Sequence, residues 1–327
     1  MKNKRLLSFV LSCATAVSMM SFGGSMVYAE AAEGEDITIG VTLQGNQSGF
    51  IQYIATGIFE YQKNEAPDIT LDVVYADDDA AKQLSQVETF IGQDVDAIII
   101  NPVDRVQGAS AVDAAADAGI PIITVNTTTD SDKNAAHVGS DDVEAGRMQM
   151  EEIIGVIGEE GKVAYVDATL GHSAQVGRAQ GYEEVLEEHP DVELVAHDTG
   201  NWSADESMRL VENWLQAGKE MDAILCMADC QLVGVLTAVE SSGKDIVLSG
   251  MDCDPVIMDA IKEGRVESSI WQDGIAQGEN SLKVAIEAAK GNGVEDVMVP
   301  YEICNGDNID EYMEKAEERN ELAKQYF

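Results

Sequence analysis

The sequence predicts an α/β protein with doubly wound, mostly parallel sheets, and three observations support this. Short β-rich runs alternate along the chain with stretches whose apolar residues recur at helical spacing. Several runs, such as AIII at 97–100 and IITV at 122–125, are apolar throughout, which is typical of parallel strands covered by helices on both faces. About ten strands in 327 residues exceed one ordinary core, so two such sheets are expected.

The expected elements follow one another with short connections. Strands are predicted at residues 37–42, 69–75, 97–100, 121–125, 162–166, 192–196, 223–226, 246–249 and 268–271. Helical spacing is clearest at residues 80–93, 142–155, 175–188 and 205–217. A strand is expected around residues 138–139, followed by a helix that begins after Ser140. Residues 309–325 are expected to form a charged surface helix docked on the protein.

The first 29 residues have the pattern of an export signal. A basic start, KNKR at 2–5, precedes an apolar run at 6–20, and VYA at 27–29 has the small-x-small form of a signal-peptidase site. The apolar run is too short for a good transmembrane helix. We therefore expect cleavage after Ala29 and export to the periplasm or the cell surface. Cleavage before Cys13, which would leave a lipid anchor, is the alternative.

The charge excludes several classes of function. The chain has 60 Asp and Glu against 20 Lys and Arg, a formal net charge of −40. A surface of this sign repels phosphate backbones and anionic lipids, so nucleic-acid binding and peripheral membrane binding are disfavoured. The hydrophobic share of 45% is that of an ordinary globular protein, which argues against disorder.

Cofactor and metal motifs are missing from the sequence. It has no G-x-x-x-x-G-K-S/T loop, no G-x-G-x-x-G after the first strand and no H-E-x-x-H, so neither a cofactor nor a metal ion is expected. Cys226, Cys230, Cys253 and Cys304 follow the expected cleavage site, but their spacing matches neither a zinc ribbon nor a disulfide scaffold. A disulfide bond between Cys230 and Cys253 is an alternative that the sequence leaves open.

One short segment bears on catalysis. GHSAQ at 171–175 lies at a strand-to-helix turn, where a nucleophile elbow would present a serine. The second glycine of that motif is missing, and Ser173 is expected to cap the following helix instead. We expect a protein that is not an enzyme; a secreted hydrolase using Ser173 is the alternative.

The ends of the predicted strands indicate a ligand site. In open α/β sheets ligands bind at the carboxyl ends of the strands. These positions carry amides, carboxylates, hydroxyls and aromatic rings with almost no bases, and they lie at residues 44–50, 101–102, 126–127, 169–173, 228–229, 251–252 and 271–272. Such a set suits a neutral molecule rich in hydroxyls better than a nucleotide.

Four segments of the chain are informative in their order and spacing: DVDAIIINPVD at 94–104, GIPIIT at 119–124, GSDD at 139–142 and SAQVGRAQGY at 173–182. Together they resemble the ribose-type sugar-binding proteins of ABC importers, the type I periplasmic binding protein family. The resemblance implies a fold of two lobes joined by a three-segment hinge, with lobe one at 36–140 plus 273–299 and lobe two at 141–272 plus 300–327. It also implies a monomer that delivers a small sugar-like ligand to an ABC transporter permease.

The resemblance nominates a cleft between the lobes. Its residues would be Gln44, Ser48, Phe50, Asn126, Thr127, Arg178, Trp202, Asp229, Asp252 and, at the hinge, Gln272. The chemistry is coherent, because Arg178 and Asp252 can each make two hydrogen bonds to adjacent hydroxyls. Phe50 and Trp202 can stack on the apolar faces of a sugar ring. Separate alternatives are a surface ion pair for Arg178 and a core position for Trp202.

The chain departs from ribose-type members at three places in this cleft. Asn126-Thr127 stands where those members carry an Asp-Arg pair, Ala228 where they carry Asn, and Met251 where they carry Phe. The loss of a charged clamp and an aromatic wall favours another pentose or hexose, a polyol or a small signalling furanose over ribose. A sensory receptor that docks on a transmembrane kinase or chemoreceptor is an alternative to a transport protein.

Overall fold

The computed structural model describes residues 37–46 and 49–327; the expected export signal and Ser48 lie outside them. The elements are β1 (Thr38–Leu43), α1 (Gly49–Glu65), β2 (Thr70–Tyr75), α2 (Ala80–Gln93), β3 (Ala97–Ile100), α3 (Arg105–Asp117), β4 (Ile122–Val125), β5 (Ala136–Gly139), α4 (Asp142–Ile157), β6 (Lys162–Asp167), α5 (Ser173–Glu188), β7 (Glu193–Thr199), α6 (Ala204–Gln216), β8 (Ala223–Cys226), α7 (Asp229–Ser242), β9 (Val247–Met251), α8 (Pro255–Lys262), β10 (Ser268–Trp271), α9 (Gly274–Ala289), β11 (Val297–Met298), β12 (Glu302–Asn305) and α10 (Ile309–Ala323).

The strands form two six-stranded sheets. The first sheet has the order β11-β5-β4-β3-β1-β2 and is parallel throughout. The second has the order β12-β10-β9-β8-β6-β7 and is parallel except for its edge strand β12. Lobe one is the first sheet with α1, α2, α3 and α9, and lobe two is the second sheet with the other helices. The predicted fold class is confirmed.

The chain passes between the two sheets three times. It leaves lobe one between β5 and α4, returns between β10 and α9, and leaves again between β11 and β12. The strands that flank these crossings pair with each other, β5 with β11 and β10 with β12, which brings the crossings together as a hinge requires. The lobe boundaries that the resemblance implies remain a prediction.

Each sheet is buried on both faces, which explains the continuous apolar strands. In lobe one, α1 and α9 cover one face while α2 and α3 cover the other. In lobe two, α4 and α5 cover one face, and α6, α7, α8 and α10 cover the other. All four residues of β3 are fully buried, and burial of an isoleucine side chain contributes roughly 1.5–3 kcal/mol.

Short polar side chains start the helices at the ends of the strands. Asp79, Asp104, Asp141 and Asp273 cap α2, α3, α4 and α9 by accepting backbone N–H groups. Ser203 caps α6, whereas α5 is capped by His172 Nδ1 rather than by Ser173. The Ser173 prediction is wrong by one residue, because α5 already begins at that serine.

Two edge strands, β11 and β12, were not predicted from the sequence pattern. β11 has two residues and β12 has four, and both lie at sheet edges where neighbouring strands define them. The C-terminal helix α10 forms as expected, although Tyr312 and Arg319 on it are buried. Among the described residues, no helix has the length and hydropathy needed to cross a membrane.

Helix α4 lies so close to α5 that only glycine fits at the contact. A β-carbon on Gly146 would lie 2.3 Å from the carbonyl oxygen of Arg178, and one on Gly181 would lie 2.2 Å from that of Val143. Both distances are shorter than any non-bonded contact allows. Gly155, on the same helix, has no atom within 4 Å of the corresponding position.

This difference predicts opposite effects for two substitutions on one helix. Gly146→Ala should lower the free energy of unfolding by about 1–3 kcal/mol, because α4 and α5 must separate. Gly155→Ala should raise it by about 0.5–1 kcal/mol, since alanine favours an exposed helix interior. Urea unfolding of both variants measures the two values. Equal effects would show that α4 and α5 are not in backbone contact.

Candidate functional site

A cavity lies between the lobes at the carboxyl ends of the strands. Its volume is about 470 Å³. Lobe one contributes the segments after β1, β2, β3 and β4, and lobe two those after β6, β7, β8 and β9, with Gln272 at a crossing. The lining residues are Gln44, Phe50, Ile51, Asp78, Val103, Asn126, Thr169, His172, Ala174, Arg178, Asn201, Trp202, Ala228, Cys230, Asp252 and Gln272.

Seven of the ten nominated residues line this cavity: Gln44, Phe50, Asn126, Arg178, Trp202, Asp252 and Gln272. The structure places Thr127 and Asp229 outside the lining, and Ser48 is not among the described residues. Thr127 is buried and donates to the carbonyl of Pro102 at 2.9 Å. Asp229 is fully buried and accepts from the Ser269 hydroxyl at 2.9 Å and from the Asp254 N–H at 2.8 Å.

Arg178 is the positive charge of the cavity wall, and it is firmly held. It is only 3% exposed; its Nε donates to Asp142 Oδ1 at 3.0 Å and its Nη2 to Tyr301 Oη at 3.2 Å. Its Nη1 donates to the carbonyl of Met227. Each terminal nitrogen therefore keeps one further N–H. The surface ion pair considered for Arg178 is wrong, since the Arg178–Asp142 pair is buried.

Besides the exposed hydroxyl of Thr169, four polar side chains of the lining have no protein partner within the described part of the chain. They are Asp78, Asn126, Asp252 and Gln272, and none of their side-chain atoms is hydrogen-bonded to another residue. Polar groups in a recess are normally paired. Unpaired groups that converge from both lobes are available to a ligand.

Backbone strain accompanies these groups. Asn126 has φ of 64°, Asp78 of 58° and Asp252 of 108°, in the left-handed region that non-glycine residues seldom adopt. Asn201 and Trp202 share this conformation, with φ of 52° and 57°. This conformation costs roughly 1–3 kcal/mol of stability for each residue, and it persists at sites where the surrounding structure imposes it.

Aromatic rings form the apolar part of the wall. Trp202 is partly exposed at the tip after β7, and its ring meets the His172 ring edge-on with 5.3 Å between centroids. Phe50 stands on the lobe-one side, at the start of α1. This position suits a ring that stacks on a ligand, and Trp202 also packs at the margin of a lobe-two core.

The lobes touch across the cavity. Gln44 Nε2 of lobe one lies 3.3 Å from His172 Nε2 of lobe two, and the Thr128 N–H donates to Ser173 Oγ at 3.2 Å. Burial, together with the charge of Arg178, lowers the pKa of His172 to about 4, so this ring is neutral near pH 7. No described histidine hydrogen-bonds Ser173, which removes the geometric support for a serine nucleophile.

The cavity is negatively charged overall. Asp142 balances Arg178, which leaves the carboxyl groups of Asp78 and Asp252. Burial raises the pKa of Asp252 to about 7, partly offset by Arg178, and burial also raises the pKa of Asp78. Among the described residues, no group of three or more His, Cys, Asp or Glu is arranged to hold a metal ion.

Sequence reasoning missed several lining residues for definable reasons. Asp78 follows β2 and Asn201 follows β7, the two predicted strands whose carboxyl ends were not among the ligand positions considered. Cys230 lines the cavity in place of Asp229, because a helix turns its side chains by about 100° per residue. All four described cysteines are free, including Cys230 and Cys253. Thr169 and His172 lay at a strand end that was considered but not nominated.

The comparisons with known proteins agree with this geometry. A family model described as "Periplasmic binding protein domain" matches residues 39–293. The chain belongs to this family, and the resemblance seen in the sequence is confirmed. A putative rhizopine-binding protein of Rhizobium meliloti is 30% identical over 91% of this chain and 98% of its own length. A xylitol-binding protein of Mycolicibacterium smegmatis is 31% identical over 86% of this chain and 80% of its own length.

Among solved structures, a similar one is an ABC transporter solute binding protein from Bacillus halodurans C-125 with bound myo-inositol. It is 39% identical, with a TM-score of 0.83, and the match covers 87% of this chain and all of that one.

The raised pKa of Asp252 predicts how stability depends on pH. An aspartate in the unfolded chain titrates near pH 4, whereas Asp252 in the folded protein titrates at about 7. Between these values the folded state alone holds the proton, so stability falls as pH rises to 7 and is level above it. An asparagine at position 252 does not titrate, so the variant does not lose stability in this way as pH rises. Asp252→Asn should therefore gain stability relative to wild type by at most about 1.4 kcal/mol per pH unit across this window.

Urea unfolding at pH 4.5, 6.0, 7.5 and 8.5 measures that difference. Asp191→Asn, at an exposed position of the same lobe, controls for the loss of one negative charge. A difference between Asp252→Asn and wild type that stays constant from pH 4.5 to 7.5 would show that the Asp252 carboxyl is not desolvated in the cavity.

Proposed function

We propose that this member of the periplasmic binding protein family is exported, captures a small uncharged cyclic polyol between its lobes and delivers it to the permease of an ABC importer. It acts as a monomer and by binding alone. The observation that carries the proposal is the convergence of four unpaired polar side chains, one from each of four chain segments, on one cavity between the lobes.

The hydrogen-bonding groups suit a ring that carries hydroxyls on several edges. Asp252 accepts two hydrogen bonds, Asn126 and Gln272 both donate and accept, and Arg178 offers one N–H from each terminal nitrogen. A hydroxyl is donor and acceptor at once, so a polyol satisfies all of these groups together. The rings of Phe50 and Trp202 suit the apolar faces of such a molecule.

The volume and the charge of the cavity restrict the class of ligand further. A cavity of about 470 Å³ holds a single six-membered ring with its hydroxyls and lies in the usual range of small-molecule sites. The carboxyl groups of Asp78 and Asp252 face no uncompensated cation, which opposes phosphorylated or acidic sugars. The bound myo-inositol of the Bacillus halodurans protein and the name of the xylitol-binding relative support a polyol over ribose.

A thermal-unfolding screen tests the ligand class. The compounds are myo-inositol, scyllo-inositol, xylitol, ribose and allose, with glucuronate and inositol phosphate as anionic members. A ligand at 100 times its dissociation constant stabilises the native state by about 2.7 kcal/mol, which raises the midpoint by several degrees. The inositols should raise it most and the anions least. A response to the anions alone, or to none of the compounds, would contradict the proposal.

Fluorescence of two tryptophans tests where the ligand binds. Trp202 lines the cavity, whereas Trp214, a residue of α6, is only 8% exposed and packs in the lobe-two core. Titration with myo-inositol should change the emission of the wild type. Trp202→Phe should remove most of that change with little effect on the melting midpoint, because its ring lies at a loop tip. Trp214→Phe should keep the change but lower the midpoint. The reverse pattern would place the ligand elsewhere.

A further inference from the structure

The turn after β9 carries Asp252 into the cavity in a demanding conformation. Asp252 and Cys253 are consecutive left-handed residues, with φ of 108° and 51°. The Asp252 N–H donates to the carbonyl of Ile270 at 2.8 Å, and the Cys253 N–H donates to the Ser269 hydroxyl at 3.1 Å. The neighbouring strand β10 thus accepts both backbone N–H groups of the turn. The carbonyl oxygens of Asp252 and Cys253 need a separate partner.

One side chain from the far end of the chain supplies that partner. Arg319, on the C-terminal helix α10, donates from Nη1 to the carbonyl of Asp252 at 3.0 Å and from Nη2 to that of Cys253 at 2.8 Å. It is 3% exposed and forms no direct ion pair within the described part of the chain, although its charge partly offsets the burial that raises the pKa of the nearby Asp252 and Asp254. A buried guanidinium that no carboxylate contacts directly is costly, so its position needs a reason.

Two aromatic rings hold the Arg319 guanidinium in place. Its central carbon lies 4.1 Å from the ring centroid of Tyr53 on α1 and 4.4 Å from that of Trp271, the residue before Gln272. Tyr53 also donates its hydroxyl to Asn320 Oδ1 at 2.6 Å. Tyr53 belongs to lobe one and the turn to lobe two. Arg319 therefore joins the Asp252 turn, a hinge crossing and the first helix of the other lobe.

We infer that Arg319 is a positioning residue for ligand capture, which fixes the Asp252–Cys253 turn so that the Asp252 carboxyl faces the ligand. Arg319 itself is not part of the cavity lining. The inference rests on the proposed function for the identity of the ligand, but not for the effect on the turn. The two rings orient the planar guanidinium, whose two terminal nitrogens form a fork. This fork donates to two adjacent carbonyls at once, which the single ammonium group of a lysine does not do with the same geometry.

Two variants of α10 separate positioning from general loss of charge or packing. Arg319→Lys keeps the charge and the alkyl stem but loses the fork. Lys315→Met is the control: one turn earlier on α10, Lys315 lies over the Tyr312 ring and pairs with Glu302 and Glu311, and it donates no hydrogen bond to Asp252 or Cys253. Arg319→Met would remove charge and fork together; Arg319→Lys is preferred because it is more certain to fold.

The first measurement needs no ligand. Hydrogen–deuterium exchange of the peptide that covers residues 250–256 should become faster in Arg319→Lys and stay unchanged in Lys315→Met. Exchange in buried strand β8 should stay unchanged in both, which reports intact folding. Unchanged exchange at residues 250–256 in Arg319→Lys would overturn the inference.

The second measurement is calorimetric titration with myo-inositol in wild-type and Asp252→Asn backgrounds. Arg319→Lys should weaken binding roughly tenfold or more in the wild type, the scale on which outer groups that orient a binding residue act. It should weaken binding far less when Asp252 is already asparagine, since the effect passes through that carboxyl. Equal losses in both backgrounds would overturn the inference. If the wild type binds no polyol while the turn still exchanges faster, the proposed function fails and the positioning of the turn stands.

Discussion

The Arg178 guanidinium is the group on which the binding site most depends. Burial of a charge costs several kcal/mol unless it is paired and hydrogen-bonded, and Arg178 obtains three protein partners from three different segments. Asp142 starts the helix after the first crossing, Tyr301 lies in the third crossing, and Met227 follows β8. One side chain thus ties two hinge crossings to the end of a central strand and still presents two N–H groups to the cavity.

The same architecture explains why acidic residues are so frequent at this end of the sheets. Helix N-termini point toward the cavity because each helix starts where a strand ends, and their free N–H groups attract carboxylates. Asp79, Asp104, Asp141 and Asp273 meet that need and lie outside the cavity lining. Asp78 and Asp252 differ from them, because their side chains have no such structural partner among the described residues. Of these six aspartates, four therefore build helices and two remain for the ligand.

The sequence was sufficient to predict the sheets and the edge at which the site lies, because both depend on local patterns. Apolar strands and helical spacing are local, and the strand-end rule then selects segments such as 126–127 and 251–252. The choice of one residue within a segment is not local. Asn126 faces the cavity and Thr127 the protein because Asn126 adopts φ of 64°, and α7 begins at Asp229 with the phase that turns Cys230 outward. The role of Arg319 depends on packing between residues more than 60 positions apart, for which no sequence pattern exists.

Ligand capture and lobe closure are linked through the unpaired groups. In a closed but empty cavity, the carboxyl groups of Asp78 from lobe one and Asp252 from lobe two would lose water without gaining a donor, and burial already raises the pKa of both. Contacts such as Gln44 with His172 and Thr128 with Ser173 favour closure, yet each is a single hydrogen bond with a net value of about 1 kcal/mol. Hydroxyls between the lobes would replace the lost water and donate to both carboxylates. A ligand can shift the hinge only through such differential contacts. The carboxyl groups that make the empty closed state unfavourable are therefore the ones that make closure depend on the ligand.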